Sequence, residues 1–265
     1  MAMAVVHGID ALAPSLGRLF VVVGVFDGLH LGHAYLLEQL AIAASAHAAR
    51  PAVITFDHHP DEILTGHAPP LLCDPDERLE RLASARVAVT VVQTFDVALR
   101  ETPFDVFVRR IADRVELAGF LMTPDSAFGY ERRGTPETVA ALGRELGYDS
   151  VVVPPFTLDG APVSSSKIRA AIAAGDLATA ERLLGRPYSV VGALDDVADV
   201  SRITFPMPVA LPPAGSYRVR ASDLDEVGEL HGCEVLIDVD GDVRVSGSLH
   251  DGPRIRIVFG GRAAG

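Results

Sequence analysis

Cysteine is almost missing from the 265-residue chain: there are two, Cys73 and Cys233. They lie far apart and fit no metal-ligand spacing, which argues against a disulfide framework and a cysteine-built zinc site. Basic residues are also scarce, 23 Lys and Arg against 35 Asp and Glu, for a formal net charge of -12. A chain that grips a nucleic-acid backbone needs the opposite balance, so no nucleic-acid partner is expected. A small anionic ligand is not excluded, because backbone amides, a few cations and a metal ion decide such binding locally. No apolar run is long enough to span a bilayer. The N-terminus shows no basic patch followed by a signal-type apolar run. The expectation is a soluble, cytoplasmic protein with no membrane partner. What the chain does have is apolar material, 49% of its residues, enough for a buried core and opposite to a disordered composition.

Through the first two thirds, short apolar runs alternate with helix-period segments. Leu19–Gly24, Ala52–Phe56, Val87–Gln93, Gly119–Thr123 and Ser150–Pro154 read as buried strands. His33–Ala49, Pro75–Ser84, Pro103–Val115 and Pro136–Leu146 read as helices, with Pro103 suited to a first helical turn. This alternation predicts an α/β fold, a Rossmann-like parallel sheet covered on both faces, with ligands bound beyond the C-terminal ends of its strands. Near Tyr188 the helices stop. Tyr188–Leu194, Ser216–Arg220, Cys233–Val239, Asp242–Ser248 and Arg254–Phe259 read as short strands, with Asp240-Gly241 as a hairpin turn. The Pro-rich stretch Pro206–Pro213 suits neither helix nor central strand. The expected organisation is an α/β domain over residues 1–186, then a small all-β, barrel-like domain over 187–265.

The first strand runs into Gly24-Val25-Phe26-Asp27-Gly28-Leu29-His30-Leu31-Gly32-His33 and then a helix. Gly28 and Gly32 leave room for a ligand to approach the backbone, and the helix start offers free N–H groups to a phosphate. His30 and His33 are placed to donate hydrogen bonds as phosphate charge rearranges, which is the help that nucleotidyl transfer needs. A His-x-x-His pair alone is more often an ordinary helix start. A metal site is a further alternative, but no matching carboxylate or cysteine stands out. A second run, Val163-Ser164-Ser165-Ser166-Lys167-Ile168-Arg169, supplies a helix cap from Ser164, Ser165 or Ser166. Lys167 and Arg169 near a helix start oppose its dipole, a cost that a pyrophosphate between them would offset. The plain alternative is a capped surface helix with solvated cations.

The Gly-x-Phe-Asp-Gly-x-His-x-Gly-His segment resembles the adenylyltransferase module of the bacterial bifunctional riboflavin kinase/FAD synthetases, within the broader His-x-Gly-His nucleotidyltransferases. Thr55-Phe56-Asp57-His58-His59-Pro60 is similar to the family's Thr-Phe-Asp-Pro-His-Pro. Asp125, Phe128 and Gly129 fit its acidic or amide residue followed by Phe-x-Phe-Gly, and Ser164–Arg169 its Ser-Ser-Thr-Arg-Ile-Arg. Leu184-Gly185-Arg186-Pro187-Tyr188 resembles the junction before the family's kinase module. The resemblance, over residues 18–190, implies an enzyme joining the α-phosphate of ATP to the phosphate of FMN with Mg²⁺. It implies nucleotide contacts from Gly24, Phe26, Asp27, Gly28, His30, His33, Ser165, Ser166 and Arg169, of which His30, His33 and Arg169 are catalytic. It implies acceptor contacts from Phe56, Asp57, His59, Asp125 and Phe128.

Departures fall on the acceptor side. His58 replaces a proline, Ser126 and Ala127 replace Phe-Arg, and Thr123 stands near a usual glycine. The changes trade away an aromatic contact and a cationic fork. They leave open another phosphorylated acceptor, CTP in place of ATP, or a non-catalytic flavin or nucleotide sensor. The family's Pro-Thr-Ala-Asn kinase motif aligns nearest to Phe205-Pro206-Met207-Pro208-Val209, whose side chains cannot coordinate Mg²⁺. The implied second domain is a degenerate kinase-like barrel without riboflavin kinase activity.

Overall fold

The computed structural model describes residues 2–197, 200–223, 231–246 and 254–262. In chain order the elements are β1 (Ala4–His7), β2 (Leu19–Val23), α1 (Leu31–Ala46), β3 (Arg50–Phe56), α2 (Pro60–Thr65), α3 (Pro75–Ser84), β4 (Val89–Gln93), α4 (Val97–Arg100), α5 (Phe104–Ala112), β5 (Leu117–Met122), α6 (Pro136–Leu146) and β6 (Asp149–Val152). A two-stranded ribbon follows, β7 (Thr157–Leu158) and β8 (Ala161–Pro162), then α7 (Ser165–Ala173) and α8 (Leu177–Leu184). The strands β9 (Ser189–Val197), β10 (Val200–Thr204), β11 (Gly215–Asp223), β12 (His231–Ile237), β13 (Val243–Ser246) and β14 (Arg254–Arg262) complete the chain.

By internal packing the residues fall into two units. The sheet unit comprises Met1–Phe26, Gly32–Pro69 and Pro75–Pro162; the barrel unit comprises Asp27–Leu31, Pro70–Asp74 and Val163–Gly265. The sheet unit carries six strands in the order β1-β4-β3-β2-β5-β6, all pairs parallel. β2, β3 and β5 are buried on both faces, as their near-continuous Val, Ile, Leu and Phe runs require. β5 is buried at all six positions. Strand order reverses around β2, so the crevice beside its C-terminal end is the ligand position in such sheets.

The barrel unit contains a closed antiparallel barrel, β10-β13-β12-β11-β14-β9. Closure leaves no sheet edge to pair with other chains. β14 alternates buried and half-buried residues, Ile255, Ile257 and Phe259 pointing inward. Gly241, at φ +84°, makes the expected turn between β12 and β13. The end of the strand read over Asp242–Ser248 lies outside the described residues.

Seven elements go beyond the sequence reading: edge strand β1, the short helices α2 and α4, the ribbon strands β7 and β8, helix α8 and strand β10. Pro103 stands one place outside α5 as its N-cap, where its fixed φ and missing N–H cost nothing.

Candidate active site

The C-terminal ends of β2 and β3 are tied together before the motif begins. The Gly24 N–H donates to the Ile54 carbonyl at 3.0 Å, and the Thr55 hydroxyl to the Val25 carbonyl at 2.9 Å. The buried guanidinium of Arg78 donates to the carbonyls of Val25, at 3.1 Å, and Phe56, at 2.8 Å. Arg78 reads from sequence as one more surface cation of α3; nothing local marks it as the brace between two strand ends.

Beside those ends the sheet unit encloses a cavity of about 750 Å³. That volume suits a drug-sized or nucleotide-sized ligand. Phe56, Phe95, Phe107, Phe120 and Phe128 line it, with Gly24 and Met122. Its rings pack on one another: Phe56 and Phe95 edge-on at 5.3 Å, Phe107 and Phe128 at 5.7 Å. His59, Asp125, Ser126 and Arg132 contribute polar groups to the lining. The Thr123 hydroxyl donates to the Asp125 carboxylate at 2.7 Å, and the Thr123 N–H to the Ser126 hydroxyl at 2.9 Å. Of the residues expected on the acceptor side, Phe56, His59, Asp125 and Phe128 line this cavity. Asp57 is not among the lining residues. Its carboxylate takes the N–H groups of His58, at 2.8 Å, and Phe95, at 3.2 Å, fastening the loop after β3 to the one after β4. Burial pushes the Asp57 pKa up, but hydrogen bonds from Thr94, Phe95 and His58 outweigh it and leave the carboxyl below its ordinary value.

The motif itself is strained. Phe26 at φ 54° and Leu29 at φ 38° lie in the left-handed region, with Gly28 at φ 78° between them. Non-glycine residues hold such angles only where surroundings over-determine them. For Phe26 part of that constraint comes from its buried ring, which packs on His33 of α1 at 5.0 Å. Asp27, between Phe26 and Gly28, is held by a set of bonds inside the barrel unit. The carboxylate, 3% exposed, accepts the Leu72 N–H at 2.9 and 3.2 Å and pairs with Arg169 Nη2 at 2.5 Å. The Asp27 carbonyl accepts the Ser165 hydroxyl at 3.0 Å. Arg186 donates to the carbonyls of Gly28, at 2.6 Å, and Leu29, at 3.2 Å. A Cβ on Gly28 would meet Leu72 Cβ at 2.9 Å.

His30, 4% exposed, sits among these groups. Burial, then the positive charge of Arg186 and, more weakly, of Arg169 push its pKa from 6.5 to about 4, against a backbone hydrogen bond acting the other way. The imidazole is therefore neutral at physiological pH, able to donate from one nitrogen without carrying charge. Ser164 is the cap of α7, accepting the Lys167 N–H at 3.4 Å, while Ser166 is exposed in its first turn. Asp27, His30, Ser165 and Arg169 thus gather within the barrel unit, and Gly24, Phe26 and His33 belong to the sheet unit. Arg186, legible from sequence only as part of a domain junction, turns out to brace the motif.

The family described as FAD synthetase matches residues 13–167. The bifunctional riboflavin kinase/FMN adenylyltransferase of Haemophilus influenzae is 31% identical over 192 residues, covering 72% of this chain and 62% of that protein. The protein of the same name from Escherichia coli K12 is 30% identical over 235 residues, 84% of this chain and 75% of that one. The match to the Haemophilus protein thus spans under two thirds of its length. A crystal structure titled as a macrolide-efflux protein of Streptococcus pneumoniae shares the fold, with a TM-score of 0.82 over 98% of this chain and 91% of that one, at 20% identity.

Proposed function

The chain belongs to the FAD synthetase family, and from that premise we propose that it transfers the adenylyl group of ATP to the phosphate of FMN, giving FAD and pyrophosphate. The observation that carries the proposal is the bonded cluster around His30: a neutral imidazole beside a motif fixed by Arg169, Arg186 and Ser165. An FMN phosphate oxygen attacks the α-phosphorus, the bond from that phosphorus to the bridging oxygen breaks, and pyrophosphate leaves with the electron pair. The attacking monoester is already largely dianionic at neutral pH, its second pKa being about 6. No general base is therefore required, and none is assigned. His30 and His33 act as hydrogen-bond donors to the α-phosphate oxygens, strongest in the transition state. Arg169, already oriented by Asp27 and by its Nε bond to the Pro70 carbonyl at 2.7 Å, attracts the departing pyrophosphate, with Ser166 beside it.

Magnesium enters as Mg·ATP, a substrate complex in which phosphates and water satisfy most of a hard ion's coordination. Among the described residues, no cluster of three or more His, Cys, Asp or Glu side chains forms a separate metal cage. The aromatic cavity supports a flat, apolar acceptor such as the flavin ring, with Asp125 and Ser126 able to meet its polar edge. The test uses the purified full chain with Mg²⁺ and ATP, FMN and riboflavin offered separately, and chromatography of the flavins. FAD from FMN with one pyrophosphate per turnover is expected. Turnover only with CTP or with another phosphate ester would move the acceptor or nucleotide. Tight flavin binding without turnover would leave a sensor.

A further inference from the structure

Residues Pro70–Asp74 have no chemistry in the proposed reaction, yet they are bonded on two sides. Toward the motif, the Leu72 N–H caps the Asp27 carboxylate, Cys73 Sγ accepts the Gly28 N–H at 3.3 Å, and the Pro70 carbonyl accepts Arg169 Nε at 2.7 Å. Toward the barrel, the Leu71 N–H donates to the Pro208 carbonyl at 2.8 Å, and the Leu71 carbonyl accepts the Ala210 N–H at 2.9 Å. Asp74, half-buried, pairs with Arg254 of β14 at 2.9 Å. All of these residues lie in the barrel unit. We propose that the barrel positions the nucleotidyl-transfer motif through this strap, with Arg254 and the Pro208–Ala210 backbone as its positioning elements. The proposal rests on the adenylyl-transfer reading above.

The stretch Pro206–Ala210 is suited to this task by what it lacks. Leu71 and Val209 form a single parallel bridge. Pro206 and Met207 form a bend before that bridge, and Pro208 has no N–H, so on the strap side of the bridge Pro208 offers only its carbonyl and Ala210 supplies the N–H. The Ala210 carbonyl is engaged as well, accepting the buried Tyr188 hydroxyl at 2.5 Å. A segment that the family resemblance assigns to kinase chemistry is thus committed, in this chain, to holding the strap. The strap in turn clamps Asp27 between the left-handed residues Phe26 and Leu29, and strained backbone of that kind relaxes once the groups that determine it are released.

The experiment compares the full-length protein with Arg254→Ala, Ala210→Pro and, as control, Arg262→Ala, which removes a barrel arginine bonded instead to the Ala214 carbonyl. Thermal melts establish folding. Amide hydrogen exchange at Gly28 and Leu72 reads the strap without chemistry, and kcat and KM for FMN read its effect on the reaction. Both strap variants should exchange faster at these amides. kcat should fall about threefold for Arg254→Ala and about tenfold or more for Ala210→Pro, since small displacements of reacting groups are costly in rate. KM for FMN should barely move, and Arg254→Lys should restore part of the loss. If Ala210→Pro does not fold, Arg254→Ala decides. Exchange and kcat in the strap variants equal to those of Arg262→Ala would overturn the proposal. If the wild-type protein makes no FAD, the adenylyl-transfer reading fails, and exchange alone then decides whether the strap exists.

Discussion

At His30, burial and two guanidinium groups act in one direction, and the result is a neutral ring. Its part in the reaction and its effect on stability can be tested separately. A donor that acts on charge developing in the transition state raises turnover more than it tightens ground-state binding. His30→Ala and His33→Ala are each expected to lower kcat about a hundredfold or more, with a much smaller change in the dissociation constant of ATP measured by calorimetry. A folded variant with near-wild-type turnover would remove that histidine from the mechanism. The stability effect follows from linkage. The unfolded chain takes up a proton near pH 6.5, and the folded chain refuses it until about pH 4. Above 6.5 both states are neutral at this position and it contributes no pH dependence. As the pH falls from 6.5 to about 4 the unfolded state gains, by an amount on the order of 3 kcal/mol over the whole interval. Urea unfolding at pH 7 and pH 4 should therefore show wild type losing more stability than His30→Gln, which cannot titrate. Parallel losses in the two proteins would mean that the imidazole is not held neutral.

At the scale of elements, the turn from β2 into α1 depends on Gly28 in two ways. Its φ of 78° disfavours any side chain, and an added Cβ would lie 2.9 Å from Leu72 Cβ and 3.0 Å from Leu72 Cδ1. Gly147, the C-cap of α6, has the same φ, 79°, but nothing within 4 Å of such a Cβ. Gly147→Ala should cost only the conformational penalty, about 1 kcal/mol. Gly28→Ala should cost clearly more, because the strap residue Leu72 must also move; equal shifts in urea midpoint would show that Leu72 yields freely. The same two regions mark what sequence could and could not reveal. α6 was legible at both ends: Pro136 begins it, and a four-to-three spacing of apolar residues carries it to Gly147. The central strands were legible because they are buried on both faces and written as continuous apolar runs. β1 was not, since four residues paired on one side with β4 need little pattern of their own. α8 carries its own signals, an Asp176 cap and Gly185 in the left-handed region, but lies in a short span between the second motif and the barrel. In the site, the histidines, Asp27 and the serine run could be picked out because each belongs to a local motif. Arg78, Arg186 and the strap could not, because the partners that brace them lie 22 to 180 positions away and only the folded chain brings them near.

For the whole molecule, the open question is whether the barrel carries a second activity, as the names of the Haemophilus and Escherichia relatives state for those proteins. Transfer of the ATP γ-phosphate to a flavin hydroxyl needs a held Mg²⁺, a cradle for the phosphates and a base for the hydroxyl. In the segment that aligns with the family's kinase motif, Met207, Pro208 and Val209 present a thioether, a ring without an N–H and an isopropyl group. None of these is a ligand for a hard cation. The backbone is committed as well: the Pro208 carbonyl and the Ala210 N–H are bonded to Leu71, and the Ala210 carbonyl to Tyr188. Glu234 stands on β12, paired in register with Arg218 of β11. The barrel nevertheless closes through all six of its strands, so the departures in this segment leave the domain able to fold. The expected outcome is that pure protein given riboflavin, ATP and Mg²⁺ yields neither FMN nor FAD, while the same preparation given FMN yields FAD. Sustained FMN formation, absent from a heat-killed control, would show a working kinase and would mean that the segment around Met207 is not the counterpart of the family's metal-binding motif.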